Sequence, residues 1–196
     1  MVVHVQQDPK LAFPAYQIKA KTKAELRRYV AEHGLAWLKL QKQRGASGGV
    51  MVDIDDTLVN GSEAVAHGFE FMKEMYEEAS KLFPVHVVTA RPDYDHKHCM
   101  GMLHKRGFAV PPDRLHMLPG ELYGSSTTHV ERFKWAAFAK ISKQHNGVIA
   151  RFGDKLWDVA HLESLDTTLK HISDRDCYVF LDPALKGTYS AKLPGA

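Results

Sequence analysis

Val50-Met51-Val52-Asp53-Ile54-Asp55-Asp56-Thr57, residues 50–57, is the stretch that decides the fold. Its first three residues are apolar and predict a buried strand, and the acidic residues follow where that strand ends. In an open α/β sheet, ligands bind beyond the carboxyl ends of the strands. The stretch therefore predicts one strand of a parallel sheet with a candidate site at its end.

Strand-like and helix-like segments alternate from residue 47 onward. Strands are predicted at 50–52, 85–88, 114–118, 148–152 and 177–181, and helices at 63–82, 93–106, 128–141 and 156–172. Thr128 and Glu131 have the spacing of a capping box, which is predicted to begin the third of these helices. Strands that alternate with helices of ten or more residues predict right-handed βαβ units. We therefore expect an α/β fold: a three-layer, Rossmann-like parallel sheet flanked by helices.

Residues 1–46 are predicted to form an N-terminal helical extension, and residues 47–196 the main domain. Thr22 and Glu25 have the spacing of a capping box at the start of a long helix. An apolar stripe then follows at helical spacing: Leu26, Tyr29, Val30, Trp37 and Leu40. The glycine-rich run 45–49 ends this helix.

Composition excludes several classes of protein. The chain has 196 residues, is 44% hydrophobic, and contains 26 Lys and Arg against 23 Asp and Glu, a net charge of +3. A balance so close to neutral gives no strong electrostatic case for nucleic-acid binding, and two cysteines are too few for a disulfide framework. With no apolar run long enough for a signal peptide or a membrane span, we expect a soluble cytoplasmic protein that does not enter a membrane.

Polar residues at the ends of the predicted strands indicate a metal site. Asp53 and Asp55 end the first strand and Asp154 ends the fourth, so three carboxylates are expected to share one pocket. Mg²⁺, a hard cation that prefers oxygen ligands, would neutralise them. Lys134 is the expected second cation, preferred over Lys140 and Lys143 because it lies nearest the helix start.

Four elements, in this order, resemble the motifs of the haloacid dehalogenase (HAD) superfamily. They are Asp53-Ile54-Asp55-Asp56-Thr57, Thr89 at a strand end, Lys134 within Arg132-Phe133-Lys134, and Gly153-Asp154 with Asp158. Together they span residues 50–182, about two-thirds of the chain. The segment Val88-Thr89-Ala90-Arg91 is most similar to the acid-phosphatase branch, the class B and plant-type proteins.

The resemblance implies a role for each residue. Asp53 would be the nucleophile that forms an aspartyl-phosphate, and Asp55 the general acid and then base. Thr89 and Lys134 would hold the non-bridging phosphate oxygens.

The resemblance also implies a metal shell. Mg²⁺ would be bound by Asp53, Asp154 and the backbone carbonyl of Asp55. Asp158 would orient Lys134 or this shell, and Arg91 is a candidate substrate contact.

Each feature also has a structural interpretation. Thr89 suits a strand end by propensity alone, and Asp158 suits the first turn of a helix because of the helix dipole. Arg91 could equally be solvated, and the cluster 95–99 is interpreted as a solvated helix face rather than a zinc site. The loop 124–128 is explained by helix capping.

The loops are too short for a folded cap domain, the insertion by which HAD enzymes usually select substrates. We therefore expect an open site for a phosphorylated small molecule, a phosphoprotein or a nucleic-acid end, with residues 1–46 or a partner chain as an alternative lid. The resulting hypothesis is a Mg²⁺-dependent phosphomonoester hydrolase that acts on a macromolecular or nucleotide substrate. A catalytically silent HAD-fold binding protein and a phosphotransferase are the alternatives.

Overall fold

A computed structural model describes residues 2–9, 15–60, 68–159, 172–173, 175–182 and 188–195. The strands are β1 (His4–Gln7), β2 (Ala15–Lys19), β3 (Gly49–Val52), β4 (Val85–Pro92), β5 (Leu115–Leu118), β6 (Val148–Gly153), β7 (Cys177–Asp182) and β8 (Thr188–Lys192). The helices are α1 (Lys23–Gln43), α2 (Phe69–Leu82), α3 (His96–Lys105), α4 (Thr127–His145) and α5 (Leu156–Val159). The predicted α/β class is confirmed.

All eight strands form one sheet in the order β1-β2-β7-β8-β6-β3-β4-β5. The strands β8, β6, β3, β4 and β5 pair in parallel, as predicted for the main domain. The carboxyl ends of β3, β4 and β6 therefore meet at one edge, where a site is expected.

The other end of the sheet is antiparallel, which corrects part of the sequence-based expectation. The predicted strand 177–181 is β7, and it runs antiparallel to β8 and β2. Only five residues, 183–187, connect β7 to β8, and a parallel crossover needs a dozen or more. The hairpin β1–β2 was not predicted within residues 1–46, and it belongs to the same sheet. The division at residue 46 stays a prediction.

Side chains on alternate faces of the sheet build two packed layers. On one face, α1, α2 and α3 contribute to a core with Val50, Val52 and Val87. On the other face, Ala137, Phe138 and Ile141 of α4 pack on Met51 and Val88. Because Met51 faces α4, Asp53 two residues later points to the same side.

The helix boundaries test the capping predictions. Thr22 and Glu25 form the predicted capping box of α1. The second predicted box is wrong, because the side chain of Ser126 caps α4 by accepting a hydrogen bond from the backbone of His129. Thr128 is thus already inside the helix.

Other boundaries differ in smaller ways. Leu38 takes the buried position in α1, whereas Leu40, predicted in the apolar stripe, is exposed. Most of the predicted helix 156–172 and the start of the helix 63–82 lie outside the described residues.

No helix among the described residues is long and apolar enough to cross a membrane.

Three histidines join α4 to the sheet at the edge opposite the strands' carboxyl ends. His86 Nδ1 lies 2.9 Å from His116 Nε2, and His86 Nε2 lies 2.8 Å from His145 Nε2. Burial, reinforced by the two neighbouring imidazoles, lowers the pKa of His86 to about 4. The cluster therefore favours a neutral His86 in the folded protein.

We predict that this histidine makes stability fall in acid. Since the pKa of an unfolded histidine is about 6.5, the unfolded chain takes up the proton first as the pH drops. The stabilisation is complete above pH 6.5 and is lost between about pH 6.5 and 4, with a total on the order of 3 kcal/mol. Urea unfolding across this range measures it. Relative to wild type, His86→Gln, which cannot titrate, should lose less stability as the pH falls over this range, whereas His98→Gln on the exposed face of α3 should follow wild type. An unchanged slope in His86→Gln would contradict the assignment.

Candidate active site

Four charged side chains converge at the carboxyl edge of the parallel strands. Asp53 directly follows β3, Asp154 directly follows β6, Asp158 lies in α5 and Lys134 lies in α4. All four residues are buried, with exposed fractions of 6% or less. The sequence placed Asp53, Asp154 and Lys134 together, and the structure brings them together.

Lys134 is bound on three sides. Its Nζ donates to a carboxylate oxygen of Asp53 and to the backbone carbonyl of Val88. It also lies 2.8 Å from Oδ1 of Asp158. Burial opposes the charge on the ammonium, but Asp158 and Asp53 outweigh it and raise the pKa of Lys134. Lys134 is therefore a fixed cation.

The three carboxylates form a group that could hold a metal ion. One oxygen from each of Asp53, Asp154 and Asp158 lies within 4.8 Å of the others. Burial raises the pKa of Asp53 well above its ordinary range, against the opposing effect of Lys134. Burial, together with the charge of Asp158, raises the pKa of Asp154 to about 7. The group thus has a deficit of positive charge that a cation would supply.

Glycine at position 153 makes room for Asp158. A Cβ atom at Gly153 would lie 2.1 Å from the Cβ of Asp158, which is too close for two nonbonded carbon atoms. Asp158 also accepts a hydrogen bond from the backbone of Lys155, which fixes the turn after β6. The Gly-Asp-x-x-x-Asp spacing is the signal for this arrangement. The sequence interpretation gave Asp158 an orienting role, and the structure adds its carboxylate to the acidic group.

The carboxylate of Asp55 is not part of this group, so the expectation that it shares a pocket with Asp53 and Asp154 is wrong. Its two carboxylate oxygens accept hydrogen bonds from Arg91 at 3.0 and 2.7 Å, and its side chain is 40% exposed. The bidentate pair raises the pKa of Arg91, chiefly through these hydrogen bonds. The pairing joins the loop after β3 to the end of β4. The predicted metal contact of Asp55 is through its backbone carbonyl, and that role stays a prediction.

Thr89 and the loop after Asp53 complete the site. Thr89 is fully buried in β4, and its hydroxyl accepts a hydrogen bond from the backbone of Arg91 at 3.2 Å. In the loop, the carbonyl of Ile54 accepts bonds from the backbone of Leu58 and Val59, and Asp56 has a φ of +54°. These bonds and the positive φ form a tight turn directly after Asp53.

Sequence reasoning missed two contributors to the site. Lys155 Nζ lies 3.5 Å from the carboxylate of Asp154, and the carbonyl of Val88 accepts from Lys134. A lysine directly after Asp154, in the fourth motif, was a visible signal for Lys155. A backbone carbonyl leaves no mark in the sequence.

Comparison with known proteins adds no family. No protein-family model matches the chain, and no curated protein sequence matches it.

We predict that Mg²⁺ or Mn²⁺ stabilises the folded protein through the acidic group. A ligand that binds only the folded state raises the free energy of unfolding, by about 2.7 kcal/mol at 100 times its Kd. Asp154→Asn should abolish this gain, whereas Glu74→Gln, which removes an exposed acid of α2, should leave it intact. Thermal unfolding with and without the ion measures both. An equal gain in Asp154→Asn would place the binding elsewhere.

We predict that removing Lys134 destabilises the protein strongly. Lys134→Met leaves Asp53 and Asp158 buried without their ammonium partner, a change that costs about 3–5 kcal/mol. Lys140→Met, at an exposed position of the same helix, is the matched control and should change stability by less than about 1 kcal/mol. Urea unfolding at pH 7 with EDTA compares the variants. Equal stability of the two would show that Lys134 is not the central cation.

Proposed function

We propose that this protein is a Mg²⁺-dependent phosphomonoester hydrolase with a HAD-like fold, acting through an aspartyl-phosphate on Asp53. The observation that carries the proposal is the buried group of Asp53, Asp154 and Asp158 beside Lys134. A nucleophilic carboxylate, a cation site and a fixed ammonium are the parts that phosphoryl transfer requires.

The donor set fits a hard dication. Three buried carboxylates face one internal ammonium, and the raised pKa values of Asp53 and Asp154 express the missing positive charge. Oxygen-only ligands are the set that Mg²⁺ prefers. Asp53 and Asp154 would hold the ion with the backbone carbonyl of Asp55. Bound there, Mg²⁺ supplies charge that lets an anionic phosphate approach an anionic carboxylate.

Asp53 acts as the nucleophile in the first step. A carboxylate oxygen of Asp53 forms a bond to phosphorus while the bond from phosphorus to the ester oxygen breaks. The leaving oxygen takes a proton from Asp55 and departs as an alcohol. Lys134 stays in contact with Asp53 and, with the hydroxyl of Thr89, stabilises the phosphoryl oxygens as their charge grows.

Water completes the reaction. Asp55, now ionised, accepts a proton from water as the water oxygen attacks phosphorus. The bond from phosphorus to Asp53 breaks, which releases inorganic phosphate and restores both carboxyl groups to their starting states.

The pair of Arg91 with Asp55 sets the order of events. Asp55 cannot reach a leaving group while both of its oxygens accept from the guanidinium. A phosphate ester is a competing bidentate acceptor for arginine. Substrate that contacts Arg91 would therefore release the carboxylate of Asp55 to take up a proton from solvent, and Asp55 then donates this proton to the leaving oxygen. This gives Arg91 a substrate-binding role.

The site is proposed to be open. Sixteen residues, 53–68, separate β3 from α2, and eight residues, 119–126, separate β5 from α4. Neither segment is long enough for a folded cap. An open site is suited to a phosphate carried by a small molecule, a protein or a nucleic-acid end.

Hydrolysis of p-nitrophenyl phosphate tests this function. Wild type with Mg²⁺ should release nitrophenol and should lose activity in EDTA. The rate of hydrolysis by Asp53→Asn should be at least about 1000-fold below that of wild type, since an amide is a poor nucleophile. Asp113→Asn, an exposed acid outside the site, is the control and should match wild type. Activity that survives in Asp53→Asn would exclude the covalent mechanism.

A further inference from the structure

Two tyrosines form an exposed aromatic surface on the loops that follow β4 and β5. The exposed large hydrophobic side chains among the described residues are Val2, Val5, Leu40, Tyr94 and Tyr123. Of these, Tyr94 is 72% exposed and Tyr123 is 57% exposed, and their rings meet edge to face with centroids 6.3 Å apart. Isolated exposed apolar residues are ordinary, whereas exposed aromatic rings in mutual contact are typical of binding surfaces.

The two loops that carry these rings are fixed to each other. The ring of Tyr94 packs on Gly120, where an added Cβ would lie 2.6 Å from Cδ1 of the tyrosine. The carboxylate of Asp93 accepts a hydrogen bond from the backbone of Gly120 at 3.0 Å. The aromatic surface is therefore held in place before any ligand arrives, which lowers the entropy cost of binding.

The surface lies at the same edge of the sheet as Asp53. Tyr94 follows the end of β4 and Tyr123 follows the end of β5, while Arg91, three residues before Tyr94, binds Asp55. Neighbouring strands are about 4.8 Å apart, so the ends of β4 and β5 lie about 5 Å and about 10 Å across the sheet from the end of β3. A phosphate ester bound at Asp53 would extend past Arg91 toward the tyrosines.

We propose that Tyr94 and Tyr123 bind the nucleobase of a nucleoside monophosphate whose phosphate occupies the site at Asp53. The inference rests on the proposed function and names its substrate class. Base stacking on tyrosine is tolerant of sequence because every base has an aromatic face. The ribose supplies the length between phosphate and base.

The charges around the tyrosines favour a mononucleotide over the other substrates that an open site admits. Asp93, Asp95 and Glu121 lie within two residues of the rings. These carboxylates repel the further phosphates of a nucleic-acid strand, yet can accept hydrogen bonds from the amino groups of adenine or cytosine. In phosphotyrosine the ring is joined directly to the phosphate, so it would remain near Asp53 and not reach the surface.

Steady-state kinetics with paired substrates test the proposal. AMP and CMP should have values of kcat/KM at least about 10-fold above that of ribose 5-phosphate, which has the same phosphate and sugar without a base. The double variant Tyr94→Ala/Tyr123→Ala should lose this preference through a higher KM for the nucleotides. Its activity on ribose 5-phosphate should stay within about 2-fold of wild type. Tyr94→Phe/Tyr123→Phe keeps the rings and should keep the preference.

The outcomes separate this inference from the proposed function. Equal kcat/KM for AMP and ribose 5-phosphate in wild type would overturn the nucleobase surface and leave the phosphatase intact. A tyrosine-dependent preference for O-phosphotyrosine, a phosphopeptide or a 5′-phosphorylated oligonucleotide would overturn the choice of substrate. If no ester is hydrolysed, the proposed function fails. Calorimetric titration of AMP into wild type and the alanine variant then tests whether the tyrosines bind a nucleotide. Binding that needs the tyrosines supports the surface, and absent or unchanged binding overturns it.

Discussion

Burial of three carboxylates around a single ammonium is the constraint on which the rest of this structure depends. Asp53, Asp154 and Asp158 are taken out of water, and the buried ammonium of Lys134 contacts Asp53 and Asp158, while the more exposed Lys155 lies near Asp154. Separating ions from water costs several kcal/mol each unless partners replace the lost hydration. A protein that keeps such a group gains a prepared site for positive charge, and here it faces the edge where α/β sheets bind ligands.

The fold meets this constraint by bringing four elements to one point. The strands β3 and β6 are neighbours in the sheet, so their terminal acids lie side by side. Helix α4 packs on the face toward which Asp53 points and presents Lys134 there, while Gly153 leaves space for Asp158. The same helix is joined to the opposite edge of the sheet by His145, which contacts His86. Helix α4 thus contacts the sheet at both edges, through Lys134 at the carboxyl edge and through His145 at the opposite edge.

The sequence predicted the parts whose signals are local. Apolar runs located β3, β4 and β6, and the acids after β3 and β6 predicted that Asp53 and Asp154 meet. It missed β1, because His4–Gln7 has one apolar residue and all four positions are exposed. It also missed β8, whose polar residues are buried because each finds a partner: Thr188 donates to Val148, and Ser190 accepts from Arg151. The pairing of Asp55 with Arg91 joins residues 36 positions apart, so no local pattern indicates it.

The most direct test of the central claim is a crystal structure with Mn²⁺, located by its anomalous scattering. The account predicts one peak at the acidic group, with carboxylate oxygens of Asp53 and Asp154 about 2.1 Å from the ion and Lys134 adjacent to it. Crystals grown at neutral pH with millimolar Mn²⁺ and no peak at these residues would contradict it. In that case the group would be a structural ion network, and the chemistry assigned to Asp53 would have no cation to support it.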